Sequence, residues 1–183
     1  DPLQIETPEQ DIKIILVAEN TNKRVIVPKS AVNSNWNKNP DFDDSSWILC
    51  QGNPGGIGYE KSSGYEHLIS LDVGNDMHND GGNPNPSCFI RVKFNTSGIS
   101  TFKQMMLNIR YDDGFIAYLN GEKIAEANAP ESPRWNSSAN GNHEATAIET
   151  FDVSDYISYL SDGSNLLAIH GMNVNTSSSD FII

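Results

Sequence analysis

Aromatic side chains in the polar stretches of this chain are the first groups whose chemistry suggests a function. An aromatic ring can stack on the apolar C–H face of a sugar, while guanidinium, amide and imidazole groups hydrogen-bond its hydroxyls. We therefore expect carbohydrate binding by one set of residues in or beside segments rich in Asn, Ser and Gly, namely Trp36, Tyr65, Arg134, Trp135, Asn136 and His143. The alternative is that these rings fill the edge of a folded core.

Acidic residues in turns form the second group, because Ca²⁺ takes about six to eight oxygen ligands in proteins. Asp43 and Asp44 precede two serines, and Asp180 follows three serines. We expect these three residues to be Ca²⁺ ligands if the two ends of the fold meet. Two alternatives are the acidic residues within 72–80 and those within 112–114, although a β-turn explains the second segment equally well.

Motifs for catalysis are missing from the sequence. It has no Gly-x-Ser-x-Gly elbow, no His-Glu-x-x-His pair and no Lys-containing phosphate loop. His170 ends an apolar segment, where we expect a hydrogen-bonded histidine either at the edge of the strand or in the core. Carboxylate pairs for glycoside hydrolysis occur in any acidic chain. We therefore expect a binding protein rather than an enzyme, with a polysaccharide lyase or hydrolase as the alternative.

The overall charge limits the partners. The 183 residues include 12 Lys+Arg and 24 Asp+Glu, for a net charge of −12. Nucleic acids and anionic membranes are bound by clusters of basic residues, which this sequence lacks, and no apolar run is long enough to span a bilayer. We expect a monomer that contacts neither nucleic acid nor membrane. The length fits one domain.

The two cysteines allow two interpretations. Cys50 and Cys88 can form one intramolecular disulfide, which would stabilise the fold by about 4 kcal/mol through loop closure. As free thiols they would be buried, as cysteines usually are. The sequence leaves both possibilities open.

The elements that must position these residues show a period of two, which predicts strands. In segment 87–94 the even-numbered residues are apolar, whereas Arg91 and Lys93 lie on the other face. Asn120-Gly121 predicts a type I′ turn between two paired strands at 115–120 and 122–127. Further predicted strands are 12–17, 105–111, 165–170 and 180–183, and residues 154–160 can form a short helix.

Long polar connections separate the predicted strands. The main ones are 34–46, 52–64, 75–87 and 129–143. Short antiparallel strands with such connections predict an all-β fold, specifically an antiparallel β-sandwich of the jelly-roll kind with long loops and only minor short helices.

Several segments together resemble a known family of modules. They are 42–47 (FDDSSW), 56–59 (GIGY), 63–66 (SGYE), 111–115 (YDDGF), 118–121 (YLNG), 165–171 (NLLAIHG) and 178–181 (SSDF). These segments resemble galactose-binding-domain-like jelly rolls, which include many carbohydrate-binding modules, in secreted bacterial multidomain proteins. The resemblance covers about residues 12–183.

The resemblance implies a non-catalytic β-sandwich whose loops can bind sugar, often with a structural Ca²⁺. We expect residues 1–183 to be a single domain excised from a longer secreted or cell-surface protein, with 1–11 as an N-terminal extension. Its expected partners are a neutral polysaccharide or glycan and the other domains of the parent protein. A structural or adhesion spacer that binds no sugar is the main alternative, and it predicts that the loop aromatics are buried.

Overall fold

The computed structural model describes residues 12–80 and 82–183, so the proposed extension 1–11 lies outside the described residues. These residues form the strands β1 (Lys23–Ile26), β2 (Ile48–Cys50), β3 (Gly56–Glu60), β4 (Ile69–Asp72), β5 (Ser87–Thr96), β6 (Met106–Ile109), β7 (Gly114–Leu119), β8 (Glu122–Ala127), β9 (Glu149–Asp152), β10 (Gly163–Met172) and β11 (Asp180–Ile182). One short helix, α1, spans Gly74–Met77, and 3₁₀ turns occur at Glu66–Leu68, Ile99–Thr101 and Ser154–Tyr159.

Three sheets make up the fold. The largest is antiparallel, with the strand order β2-β1-β5-β10-β7-β8, and its centre is the ten-residue pair of β5 and β10. The smaller sheets are β11-β3-β4 and the antiparallel pair β6-β9. Only the pairing of β3 with β4 is parallel among the strands of the described residues. This architecture confirms the predicted all-β sandwich.

The main core lies between the six-stranded sheet and the smaller sheets. Ile90, Val92 and Phe115 from the large sheet meet Tyr59 and Phe181 from β3 and β11, and all five are buried. Each such side chain contributes about 1.5–3 kcal/mol by leaving water. The apolar face predicted for segment 87–94 is therefore the inner face of the sandwich.

Loops cover the opposite face of the six-stranded sheet, and a buried arginine attaches one of them. Arg91 is only 1% exposed, although its alternation in β5 predicts a solvent-facing side chain. Its Nε donates to Asp44 Oδ2 at 2.7 Å, and its guanidinium also donates to the carbonyl oxygens of Trp36 and Asn39. The connection between β1 and β2 thus folds over this face and buries Arg91 beneath it.

Two strand predictions have opposite outcomes. The hairpin is confirmed: β7 and β8 pair across Asn120 and Gly121, whose φ angles of 50° and 96° suit a type I′ turn. The strand predicted at 12–17 is wrong, because the segment pairs with no neighbour among the described residues and leaves Ile12 and Ile15 exposed. The first strand is instead β1, and β3 lies inside the loop predicted at 52–64.

Both cysteines are buried free thiols, which is the second of the two interpretations. Burial raises the pKa of Cys50 and of Cys88. Within the described part of the chain, none of the helices is long and apolar enough to span a membrane.

Candidate functional site

Trp135 borders two adjoining cavities outside the six-stranded sheet. The larger, about 280 Å³, is called the Trp135 pocket here, and its walls include Trp36, Phe89, Tyr118, Arg134, Trp135 and His170. The smaller, about 170 Å³, is lined by Trp135 and Asn136 together with Lys29 and prolines 28, 84 and 86. The structure therefore brings together four of the six residues predicted to bind sugar.

A tight turn at 134–137 presents Trp135 to these cavities. The Ser137 backbone N–H donates to the Arg134 carbonyl at 3.1 Å, and the Arg134 N–H donates to Ser137 Oγ at 2.8 Å. Asn85 Nδ2 donates to the Trp135 carbonyl at 3.2 Å, and Ser87 Oγ donates to the Ser137 carbonyl at 2.7 Å. These bonds attach the turn to the start of β5, so the position of the indole is set by the sheet.

The two tryptophans of the Trp135 pocket differ in how far they are exposed to solvent. Trp36 is 8% exposed, and one face of its indole stacks on Phe89 with ring centroids 4.3 Å apart. Trp135 is only half-buried, and among the described residues it forms no ring–ring contact. Trp135 packs against the cluster that contains Trp36 and Phe89 but remains partly exposed, whereas Trp36 is part of the buried wall.

His170 lies at the base of the Trp135 pocket and is buried, which is the core position of the two expected from the sequence. Burial lowers its pKa to about 3, so the imidazole is neutral near pH 7. Its Nε2 is 2.8 Å from Ser87 Oγ. Because the single Ser87 hydroxyl proton is directed to the Ser137 carbonyl, Nε2 must carry a proton and donate to Ser87 Oγ. The tautomer leaves Nδ1 as a hydrogen-bond acceptor.

Three carboxylates form a second site, called the Asp112 cluster here. One oxygen from each of Asp112, Glu144 and Asp180 lies within 4.8 Å of the others, and this group of acidic residues can hold a metal ion. Asp112 is 1% exposed, Asp180 is half-buried and Glu144 is exposed. Burial, with smaller contributions from the Asp113 and Asp180 carboxylates, raises the pKa of Asp112 to about 8. Burial and then Glu60 raise the pKa of Asp180.

Tyr65 and His143 belong to this second region and not to the Trp135 pocket. Tyr65 is 8% exposed, and its hydroxyl lies 3.1 Å from Asp112 Oδ2. The His143 ring stacks on Tyr111 at 4.1 Å, and its Nε2 is 2.7 Å from Glu149 Oε1. Both rings have partners within the protein that occupy their polar atoms, so they support the fold around the Asp112 cluster.

The predicted Ca²⁺ ligands are not assembled into one group. Asp44 is paired with Arg91 and lies 3.6 Å from Lys93 Nζ, while Asp43 Oδ1 accepts the Ser45 backbone N–H at 3.0 Å. Asp180 instead joins the Asp112 cluster. The physical reason is that the guanidinium of Arg91 already neutralises the carboxylate of Asp44 beneath the loop layer.

Some residues of both sites were not predicted from the sequence. Phe89 and Tyr118 line the Trp135 pocket from ordinary strand positions, and Ser87 bonds to His170 beneath it, so no sequence signal marks these three residues. Asp112 lies in a segment recognised as a possible ligand turn. Glu144 has no motif around it, and only folding of the connection between β8 and β9 brings it to Asp112 and Asp180.

No protein-family model matches the sequence, and no curated protein matches it either. Solved structures do match the fold. Two are of Bacteroides uniformis beta-glucuronidase, one of them a calcium binding mutant of beta-glucuronidase 2, with TM-scores of 0.54 and 0.53 at 14% identity. A third is a glycosyl hydrolase family 2 member from Bacteroides cellulosilyticus, with a TM-score of 0.50 at 12% identity.

These matches cover most of this chain but a small part of the others. The first two cover 92% of this chain and 18% and 17% of the glucuronidase chains, and the third covers 89% and 20%. This chain therefore spans about a fifth of the length of the enzymes that it matches. At such low identity the likeness shows a shared fold.

Proposed function

We propose that this protein is a non-catalytic carbohydrate-binding domain that recognises a neutral glycan at the Trp135 pocket. The observation that carries the proposal is the partly exposed Trp135 indole, which borders two cavities and has Arg134 and Asn136 beside it. A flat apolar ring flanked by planar hydrogen-bonding groups suits a sugar, whose faces are apolar and whose edges carry hydroxyls.

The hydrogen-bonding groups of the pocket support this ligand class. His170 is neutral and offers Nδ1 as an acceptor, which suits a hydroxyl donor. Arg134 lines this pocket and Asn136 lines the adjoining smaller cavity; both are exposed, so a guanidinium and an amide can donate to sugar oxygens. The pocket thus offers both acceptors and donors, as a polyhydroxylated ligand requires.

The chemistry of the lining supports a binding role rather than catalysis. The described residues that line the two cavities include neither aspartate nor glutamate. Most glycoside hydrolases use a pair of carboxylates about 5–10 Å apart across the scissile bond. We therefore assign no catalytic residue to this site. Structures named as glycosidases share the fold over about a fifth of their length, which is consistent with an accessory domain.

A spacer or adhesion domain that binds no sugar is the second candidate function. It is favoured by the burial of Trp36 and Tyr65, which are each 8% exposed. Trp135 separates the two candidates, because a spacer has no need of a partly exposed indole beside a cavity.

The proposed context is a single domain of a longer secreted bacterial protein, related in kind to galactose-binding-like modules. In that setting its partners are a glycan and neighbouring domains, and it functions as a monomer without nucleic acid or membrane. We also propose a structural Ca²⁺ that stabilises the loops without touching the sugar.

The test is affinity electrophoresis of the full chain against a panel of neutral plant, algal and microbial glycans, with uronic-acid polymers as a separate arm. We expect at least one neutral glycan to retard the wild type and Trp135→Ala to abolish the retardation. Tyr159→Ala is the matched control, because Tyr159 is an exposed aromatic residue (46%) that does not line the pocket.

Thermal unfolding of each variant shows whether the fold is intact. Absence of retardation by every glycan would overturn the proposal in favour of the spacer. Equal retardation of wild type and Trp135→Ala would overturn the assignment of the site. Binding to uronic-acid polymers alone would contradict the neutral ligand.

A further inference from the structure

The Asp112 cluster contains a buried oxygen that the protein itself does not satisfy. Asp112 Oδ1 has no hydrogen-bond partner, although the residue is only 1% exposed to solvent. Leaving a buried carboxylate oxygen without a partner is costly, so native structures rarely do so without a ligand. The same residue belongs to a group in which Glu144 and Asp180 also offer carboxylate oxygens.

The neighbouring carboxylate, that of Asp113, differs from Asp112 because both of its oxygens accept hydrogen bonds. Asp113 Oδ1 accepts the His143 backbone N–H at 2.8 Å, and its Oδ2 accepts the Val174 N–H at 2.7 Å. Asp113 therefore holds two loops and has both oxygens occupied. Asp112 has a donor on one oxygen only, so the two adjacent acids have different roles.

Hydrogen-bond donors around the cluster are too few for its oxygens. The Tyr65 hydroxyl lies 3.1 Å from Asp112 Oδ2 and 3.2 Å from Glu144 Oε2, but it has one proton to donate. The hydroxyls of two serines reach Asp180 Oδ1 only at 3.3 and 3.4 Å. Among residues 12–80 and 82–183, no lysine, arginine or histidine forms an ion pair with any of the three carboxylates.

We propose that Asp112, Glu144 and Asp180 bind a divalent cation, with Ca²⁺ as the favoured ion. This inference rests on the structural Ca²⁺ proposed above and gives it a location different from the Asp43 and Asp44 predicted from sequence. The orphaned oxygen of Asp112 fits a cation better than any donor present, because a cation can bond several oxygens at once.

The type of ligand selects the ion. All three side chains offer hard oxygen atoms, and the cluster includes neither cysteine nor histidine, which favours Ca²⁺ over Zn²⁺ or Cu²⁺. Ca²⁺ needs about six to eight oxygens. The exposed Glu144 gives the ion a route from solvent and leaves room for water ligands.

The ion would connect three distant parts of the chain. Asp112 lies two residues before β7, Glu144 lies between β8 and β9, and Asp180 begins β11. The backbone already joins two of them, since the Asp112 N–H donates to the Ile182 carbonyl at 3.0 Å. The effect of the ion is therefore to stabilise the last strand and the connection that carries Glu144.

The experiment measures the melting temperature (Tm) of chelator-treated protein with added CaCl₂, MgCl₂ or NaCl at matched ionic strength. With Ca²⁺ at about 100 times its Kd, we expect the wild-type Tm to rise by about 5–10 °C. Asp112→Asn should lose the rise. In chelator it should melt at or above the wild-type Tm, because a neutral amide places no carboxylate charge in this buried position beside two other acids. Asp43→Asn is the matched control and should keep the full Ca²⁺ response.

A second variant and a second readout keep the test decisive. Asp180→Asn changes a half-buried ligand and serves if Asp112→Asn fails to fold. Tb³⁺ luminescence sensitised by Tyr65 reports binding directly, and excess Ca²⁺ should displace the signal.

Two results would overturn the inference. One is a chelator-treated wild type with neither a Ca²⁺-dependent Tm shift nor Tb³⁺ luminescence, which would mean that the carboxylates share a proton instead. The other is loss of the Ca²⁺ response in Asp43→Asn alone. No glycan is used, so a failure of the sugar proposal leaves this test unaffected.

Discussion

The Trp135 pocket and the Asp112 cluster use the same connection between β8 and β9 for opposite purposes. Trp135 from that connection borders two cavities, and the polar groups beneath it are linked by hydrogen bonds from His170 through Ser87 to Ser137. Glu144 from the same connection joins carboxylates that lack donors. The polar groups of the first region bond to one another, and we propose an uncharged ligand for it, whereas the carboxylates of the second lack donors, and we propose a cation for it.

This difference shows that the type of a residue does not by itself determine which of the two regions it belongs to. Tyr65 and His143 have the chemistry to bind sugar, yet their polar atoms are engaged around the Asp112 cluster. Trp36 has the same chemistry, but its stacking on Phe89 makes it part of the wall. What distinguishes a ligand-binding group from a supporting one here is whether its faces and polar atoms already have partners.

The largest effect should come from Arg91→Met, which tests whether the Trp135 pocket is supported separately from the Asp112 cluster. The change leaves the buried Asp44 carboxylate without its ion pair, so we expect a loss of about 3–5 kcal/mol in the free energy of unfolding. Because Arg91 also holds the Trp36 carbonyl, glycan retardation should be lost. Urea denaturation measures the first effect and affinity electrophoresis the second.

Lys93→Met is the matched control for Arg91. The Lys93 side chain is 46% exposed and its Nζ lies 3.6 Å from Asp44, so we expect a change of at most about 1 kcal/mol. Equal destabilisation by the two variants would contradict the structural role given to Arg91. Loss of the Ca²⁺ response in a folded Arg91→Met protein would contradict the separation of the two regions.

A smaller effect should follow from Tyr65→Phe, which tests the assignment of Tyr65 to the Asp112 cluster. The variant removes the hydroxyl that bonds the carboxylates and that accepts the buried Ala145 N–H at 2.9 Å. We expect a loss of about 1–3 kcal/mol in chelator, measured by urea denaturation, with glycan retardation unchanged. Loss of glycan retardation with an unchanged Tm would contradict this assignment and indicate that Tyr65 binds the glycan.

The pH dependence of the free energy of unfolding should show the contribution of the buried, neutral His170. Its pKa is about 3 in the folded protein, against an ordinary 6.5, so the unfolded chain binds a proton that the folded chain does not. The His170 contribution is therefore fully present above pH 6.5 and is lost as the pH falls from 6.5 toward 3, with a slope of up to about 1.4 kcal/mol per pH unit.

The measurement is the free energy of unfolding across this range for wild type and for His170→Gln, whose amide can still donate to Ser87. The difference between the two curves should shrink as the pH falls, whereas parallel curves would contradict a neutral His170. Wild-type glycan retardation should stay constant between about pH 5 and 8, because His170 remains neutral.

The smallest effect concerns the coupling of the two regions in Trp135→Ala. Two backbone hydrogen bonds fix the chain between Trp135 and Glu144. The Ala139 N–H donates to the Asn173 carbonyl at 3.0 Å, and the Asn140 N–H donates to the Asn128 carbonyl at 2.7 Å. We expect Ca²⁺ to stabilise the variant and the wild type equally, within about 0.5 kcal/mol by thermal unfolding. A larger difference would show that the connection transmits strain between the sites.

Local patterns were sufficient for part of the fold. The apolar alternation of β5 and the Asn120-Gly121 turn depend on residues next to each other, and both predictions are confirmed. The same rule failed for residues 12–17, where apolar residues lack a neighbouring strand. It also failed for β3, whose Gly-rich sequence resembles a loop but pairs with β4 and β11.

The sequence by itself determined the all-β class, the central strands and the residue types available for chemistry, because strand alternation and turn preference are local properties. Only the tertiary structure decided that Asp44 pairs with Arg91, that Trp135 borders a cavity, and that Asp112 lies near Glu144 and Asp180. These outcomes depend on contacts between residues far apart in the chain. Such contacts form only when the loops close over the sheets and burial removes water as the alternative partner.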